Sequence, residues 1–300
     1  MTFIVNQDMK RFVENNPNLV TRKETSYPGV YLLKYKRSVF YNNLWNEYLE
    51  ECRGTLVDAD YNLISRPFTK IYNYGIEKRA PELIPSTTIT AVRKVNGFMV
   101  AVTWYNDDIL VSTTGSTDSD YVKMALELID RSKYRDVCKN WKGYTFMFEC
   151  VHPNDPHIIP ENIGMYLLGF RQNYWNSNLV YAKDELSLLA GQFGCFEVDQ
   201  YHVKLVTLLK IIKNVKHEGF VIYTGNGFCA KIKSPYYLVK KFVARNPNTD
   251  KLMDKNVKQK VEEEYYPLID HIQYKIEEFT GLSEQDRLAW VRNFLEYNEN

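Results

Sequence analysis

The sequence has no apolar run of about 18 residues, so no segment suits a membrane-spanning helix. The start, Met1–Asp8, lacks the basic beginning and long apolar stretch of a secretory signal. Cysteine is scarce and unpaired in pattern: Cys52, Cys138, Cys150, Cys195 and Cys229 are five in number and form no CxxC pair. That excludes a disulfide framework and a cysteine zinc site, and the expectation is a reduced, cytoplasmic protein. Internal repeats and low-complexity segments are also missing. The net charge of +1 by itself predicts no polyanion partner.

What is present is an ordinary globular chain of 300 residues, 45% hydrophobic and 25% charged, long enough for one large domain and a small one. Charge is unevenly placed. From Lys204 to Arg245 the only acid is Glu218, against Lys204, Lys210, Lys213, Lys216, Lys231, Lys233, Lys240, Lys241 and Arg245. Such a stretch is either a solvated face or a place to hold phosphates. Patterning predicts a short helix over 8–15 and strands over 29–37, 54–58, 98–105, 109–113, 144–150 and 165–170. Further helices are expected over 120–133 and near 183–191. Residues 219–223 and 228–232 read as a hairpin with a two-residue turn, either Gly225-Asn226 or Asn226-Gly227. From about 236 the pattern is helical, broken at Pro267 and Gly281, with a helix start at Ser283 and Asp286. Strands come in runs, not in alternation with helices, which argues for a mixed, mostly antiparallel α+β fold.

Five segments carry candidate chemistry. Lys94-Val95-Asn96-Gly97 places a lysine where a strand meets a turn; a lysine amine becomes nucleophilic when desolvated or set beside other cations. Tyr144–Glu149 ends an apolar strand on an acid, which needs a partner if it is buried. Asn162–Arg171 reads as a buried strand ending in arginine. In either hairpin register Glu218, Lys231 and Lys233 project from one face, as a surface ladder of charge or as a site for a metal ion and phosphates.

In their order and spacing these segments resemble the covalent nucleotidyltransferase superfamily of ligases and capping enzymes. Upstream, Glu51-Cys52-Arg53-Gly54 and Ser65-Arg66-Pro67-Phe68-Thr69-Lys70-Ile71-Tyr72-Asn73 narrow the resemblance to the bacteriophage RNA ligase 1 family, over roughly residues 50–240. The resemblance implies an ATP-grasp-like adenylyltransferase domain over 1–238 and a small helical C-terminal domain over 239–300. It implies an ATP-dependent RNA ligase, acting in RNA repair in a host cytoplasm, with Lys94 as nucleophile toward ATP. Lys231 and Lys233 would bind the α-phosphate. Arg53 and Lys70 would contact the triphosphate, and Tyr72 stands where the family has phenylalanine. Glu149 would engage the ribose, and Glu218 would hold Mg2+, for which Mn2+ could substitute. Gly97, Gly219 and Tyr237 complete the motifs. The implied partner is RNA with 5′-phosphate and 3′-hydroxyl ends, single-stranded or a broken tRNA-like hairpin, and the protein is expected as a monomer. Two positions depart from the family: Asn96 replaces its usual aspartate and Thr114 a lysine, while the helical tail is shorter. The alternatives are a non-catalytic RNA-binding module on this fold, and a DNA ligase or capping-type transferase. The latter pair usually carry an OB-fold where this sequence reads as helical.

Overall fold

The structure is a computed structural model, and it describes residues 3–76, 82–225, 227–245, 249–259 and 261–297. The chain packs as two compact units. The first comprises 1–70, 97–157 and 161–198; the second comprises 71–96, 158–160 and 199–300.

The first unit holds two antiparallel four-stranded sheets. One runs Val20–Glu24, Tyr31–Tyr35, Arg53–Val57, Leu63–Ser65. The other runs Gly164–Gln172, Tyr144–Val151, Phe98–Tyr105, Asp108–Ser112. Between the strands expected over 98–105 and 109–113 the link is a tight turn at Asn106-Asp107, with both residues at positive φ, 47° and 59°. This suits short polar side chains. Phe146 and Phe148, alternating on one face of their strand, enter a core with Tyr134, Val137, Leu186 and Phe193 from two helices, Arg131–Asn140 and Lys183–Phe193. The single helix expected over 120–133 is two. Asp120–Leu128 ends at Ile129, and Asp130 takes an extended backbone and caps the next helix by accepting from the Lys133 N–H. A short acid that satisfies a free N–H favours a new start over continuing the old helix.

The second unit is built on a five-stranded sheet: Gln200–Lys204, Thr88–Arg93, Gly219–Tyr223, Cys229–Lys233, Tyr72–Asn73. Only the last pairing is parallel. Register fixes the two faces. Ala91 lies opposite Ile222, and Ile222 opposite Ala230. These residues, with Ile89 and Phe220, bury against Leu205, Leu208 and Ile212. The other face therefore carries Val92, Val221, Lys231, Lys233 and Asn73.

Helices Pro235–Arg245, Tyr266–Tyr274, Ile276–Thr280 and Glu284–Tyr297 follow, around Leu238, Phe242, Leu268, Ile272, Phe279 and Val291. Pro267 opens one of these helices and Gly281 follows another. Ser283 Oγ accepts from the Asp286 N–H, as the sequence suggests for a helix start.

The hairpin differs from expectation. Gly219 pairs with Lys233 and Tyr223 with Cys229, a register midway between the two expected ones. Asn226, central to both expected turns, lies outside the described residues. In the observed register strict alternation would turn Glu218 away from Lys231 and Lys233. Gly219 has φ +140° and interrupts that alternation.

Candidate functional site

Lys94 follows the strand Thr88–Arg93 and extends its pairing: its N–H donates to Gly219 O at 2.9 Å. That register puts Lys94 on the sheet face of Lys231 and Lys233. Its ammonium reaches Glu218 Oε2 at 3.2 Å. Lys233 Nζ lies 3.7 Å from Glu218 Oε1. Glu218 is 2% exposed, so its charge needs partners. Asn96 supplies another: its Nδ2 donates to Glu218 Oε2 at 2.6 Å, while its Oδ1 accepts from the Ile159 N–H at 3.1 Å. Burial raises the pKa of Glu218, but Lys94 and then Lys233 outweigh it, and the carboxyl is held below its ordinary range. It is ionised at neutral pH.

The hairpin passes directly into a helix at this point. Ser234 Oγ accepts from the Tyr237 N–H at 3.1 Å and donates to His217 O at 2.6 Å. With Pro235 next, this is an N-cap followed by a residue preset for the first helical turn. The cap fixes Tyr237 beside the strand end, its ring 5.2 Å from the Lys233 ammonium. Burial, then the Glu218 charge, push the Tyr237 hydroxyl up to about 12, so it stays a neutral phenol.

Lys233 has a shorter ion pair than the one to Glu218. Its Nζ lies 2.5 Å from Glu264 Oε1. Lys241 Nζ is 3.0 Å from the same oxygen and is also paired with Glu262. Burial disfavours the charge on Lys233, yet Glu264 and Glu218 raise its pKa above the usual lysine value. Glu264 is driven well below the carboxylate range: burial opposes this, and Lys233 and Lys241 prevail. Burial and the Lys233 charge lower Lys241.

Lys231 shares the sheet face, opposite Asn73 and Val221. Tyr72 is buried in the short parallel strand opposite Ala230. The second unit thus brings together Lys94, Glu218, Lys233 and Tyr237, with Lys231, Gly219 and Tyr72 in the same sheet.

The remaining expected residues lie in the first unit. Glu149 is buried, and its Oε1 accepts from the Gly97 N–H at 3.1 Å. A glycine can admit a ligand close to the backbone. What approaches it here is protein: a Cβ at Gly97 would meet Cys150 O at 2.3 Å. Lys70 is buried with its ammonium 5.4 Å and 4.7 Å from the rings of Phe40 and Trp45. Arg53 lies over Tyr35. Gly54, at φ +96°, packs on the backbone of Thr113 and Thr114, so the glycine of the Glu51–Gly54 segment is required by close packing. Arg66 of the next segment has a structural role: it makes a two-pronged contact with Glu51, at 2.9 and 2.6 Å, and donates to Ser177.

The sequence did not reveal Glu264 or its pairing. It sits in a run of three acids, Glu262 to Glu264, that leads into a 3-10 turn, Glu263–Tyr265, where no periodicity marks a direction. Lys241 left a signal: it follows Tyr237 by four residues and so lies on the same side of the helix.

Among the described residues no group of three or more His, Cys, Asp or Glu side chains is placed to hold a metal ion. A divalent cation at Glu218 would have one protein carboxylate and would take its other oxygens from phosphates and water. That donor set suits magnesium, which keeps waters and binds through one or two carboxylates.

A sequence profile for a family described as RNA ligase, of the phage RNA ligase 1 type, matches residues 51–237. A putative ATP-dependent DNA ligase from Aquifex aeolicus is similar in structure, with TM-score 0.60 at 15% identity over 97% of this chain and 77% of that one. Two forms of an archaeal ATP-dependent RNA ligase have TM-scores of 0.57 and 0.58, each at 15% identity over 96% of this chain and 76% of theirs. At that identity the likeness is one of fold.

Proposed function

Because the chain belongs to the RNA ligase family, we propose that it joins RNA 5′-phosphate and 3′-hydroxyl ends at the expense of ATP, in RNA repair, through an AMP carried on Lys94. The observation that supports this most is the Lys94 ammonium at 3.2 Å from buried Glu218, on a sheet face shared with Lys231 and Lys233.

The chemistry has three displacements at phosphorus. In the first, Lys94 gives up a proton and its Nζ bonds to the α-phosphorus of ATP. The bond from that phosphorus to the bridging oxygen breaks, and pyrophosphate leaves. In the second, an oxygen of the RNA 5′-phosphate attacks the same phosphorus. The P–N bond breaks, Lys94 recovers its proton, and the RNA carries a 5′-linked AMP. In the third, an RNA 3′-hydroxyl loses its proton and attacks the 5′-phosphate, forming the phosphodiester and releasing AMP.

Each step builds charge on nonbridging oxygens, which fixed cations stabilise. Lys231 and Lys233 are assigned to the α-phosphate, Arg53 and Lys70 to the triphosphate, and Glu149 to the ribose. Tyr237, Tyr72, Gly97 and Gly219 hold the frame. A magnesium ion at Glu218 would neutralise phosphate charge when bound. The helical residues 239–300 would take part in choosing the RNA.

Incubation with radiolabelled ATP or GTP and magnesium, followed by denaturing electrophoresis, tests the reading. Label from ATP should remain on the protein and be absent from Lys94→Ala. An adduct from GTP alone would point to capping-type chemistry. An undiminished adduct in Lys94→Ala would remove the assigned nucleophile. Sealing of 5′-phosphorylated RNA but not of the matching DNA should follow.

A further inference from the structure

Lys233 is assigned above to phosphate, yet its closest partner is a carboxylate from a distant part of the chain. Glu264 reaches it at 2.5 Å, with side-chain exposures of 9% and 4%. The contact is anchored. The Tyr265 hydroxyl donates to Leu238 O at 2.9 Å, and its ring packs 5.5 Å from Phe242. Leu238 and Phe242 lie on the helix that begins immediately after Lys233 and Ser234. Lys241 of the same helix holds Glu264 from its other side at 3.0 Å. A cavity of about 40 Å3, lined in part by Asn73, Lys231, Lys233 and Glu264, lies beside the pair. The four charges Lys233, Glu264, Lys241 and Glu262 alternate in sign along a mostly buried row.

A lysine has four rotatable side-chain bonds, and ordering them is costly in entropy. A single partner 3.7 Å away at Glu218 would leave Lys233 several positions. Glu264 supplies a second, closer point, and Tyr237 bounds the space between. We infer that Glu264 is a positioning residue for nucleotidyl transfer: it presets the Lys233 ammonium, so the helical segment that supplies it is part of the adenylylation machinery as well as a selector of RNA. The inference rests on the ligase reading above. It applies to the first chemical step, which needs no RNA.

The test uses the full chain. Glu264→Gln keeps shape and removes charge. Because Glu264→Gln leaves the buried Lys241 with Glu262 as its remaining ion pair among those described above, Glu264→Gln with Lys241→Gln removes a matched pair and protects the fold. Two measurements are made. Single-turnover adenylylation at saturating ATP separates rate constant from adduct stoichiometry, and 15N NMR of the lysine ammonium groups reports whether the Lys233 ammonium is immobilised. A misplacement near 1 Å costs about 100-fold in rate. The expected result is therefore a rate constant lowered about 10- to 100-fold in both variants, with full stoichiometry in the double variant. Glu264→Asp should fall between, and the protected Lys233 ammonium signal expected of the wild type should vanish when Glu264 is neutralised. A rate constant unchanged in a folded variant, or a loss confined to stoichiometry, would overturn the inference. So would a Lys233 signal that survives Glu264→Gln, whatever the activity. A wild-type protein that keeps that signal but forms no adduct with any nucleotide would instead overturn the ligase reading.

Discussion

Asn96 shows how much one side chain decides. It donates to Glu218 and accepts from Ile159, so both halves of its amide are used. Asn96→Asp, which restores the charge usual in the family, would set two carboxylates against each other at about the 2.6 Å now spanned by a hydrogen bond. Like charges at that distance cannot both ionise cheaply. At pH 7 the variant should be less stable by about 1–3 kcal/mol. Magnesium or acid should recover part of that loss. Melting curves at pH 5 and 7, with and without magnesium, check this; a variant as stable as the wild type in every condition would contradict it. Glu218 and Glu264 carry a second consequence. Both are held below their ordinary value of 4.5. A carboxylate with a lowered folded pKa contributes stability that is present above its unfolded value and is lost as pH falls through the folded one. The melting temperature should therefore decline below pH 4.5, and Glu218→Gln should decline less steeply. Lys94, Glu218, Lys233 and Tyr237 were legible in the sequence because each sits in a short motif that carries the family resemblance, whereas the bend at Gly219 that departs from strict alternation beside Glu218 was not. Glu264 was not, since its role depends on a long-range contact that no local pattern encodes.

At the scale of elements, Gly219 couples conformation to site. A Cβ there would meet Ile232 O at 2.1 Å and the Lys233 Cα at 2.8 Å, both backbone atoms. The φ of +140° adds strain for any other residue. Gly219→Ala should cost about 2–4 kcal/mol, by strain and displaced backbone, and turn Glu218 away from Lys94. Lost melting temperature together with lost adenylylation is the expected result. A variant that keeps full adenylylation would show that Glu218 does not depend on this bend. The hairpin strands themselves were plain from composition. Their register was not, because it hangs on the residue count of the turn, and a change of one reverses every face. The helix over 120–133 was misjudged for a related reason. Apolar spacing continues across Ile129, but Asp130 caps a new helix there, and a local side-chain hydrogen bond overrides the periodicity.

For the whole molecule, alternation and helical spacing disclosed the α+β class, because both are properties of neighbours in sequence. They could not disclose that Tyr72–Asn73 pairs in parallel with Cys229–Lys233, or that 71–96 packs with 199–300. Charge distribution bridges the two scales. The basic stretch from Lys204 to Arg245 is divided by folding: Lys233 and Lys241 turn inward to Glu264, while Lys210, Lys216 and Lys240 remain exposed. Lys216 and Lys240 both lie over the ring of Tyr236, at 4.8 and 4.7 Å. Two ammonium groups gathered on one half-exposed ring repel each other and attract a polyanion. The chain from Lys216 leads within two residues to Glu218, so a phosphate backbone on this patch would run toward the site in the same unit. Each phosphate neutralised on a single strand adds about 0.7 to the slope of log affinity against log salt. Lys216→Ala with Lys240→Ala should therefore weaken binding of single-stranded RNA and reduce that slope by about 1.4 if both lysines meet phosphate. Adenylylation by ATP should be unaffected, because both side chains are exposed and lie over Tyr236, whereas Glu218 and Lys233 are buried. Equal slopes for the variant and the wild type would place the RNA on another face.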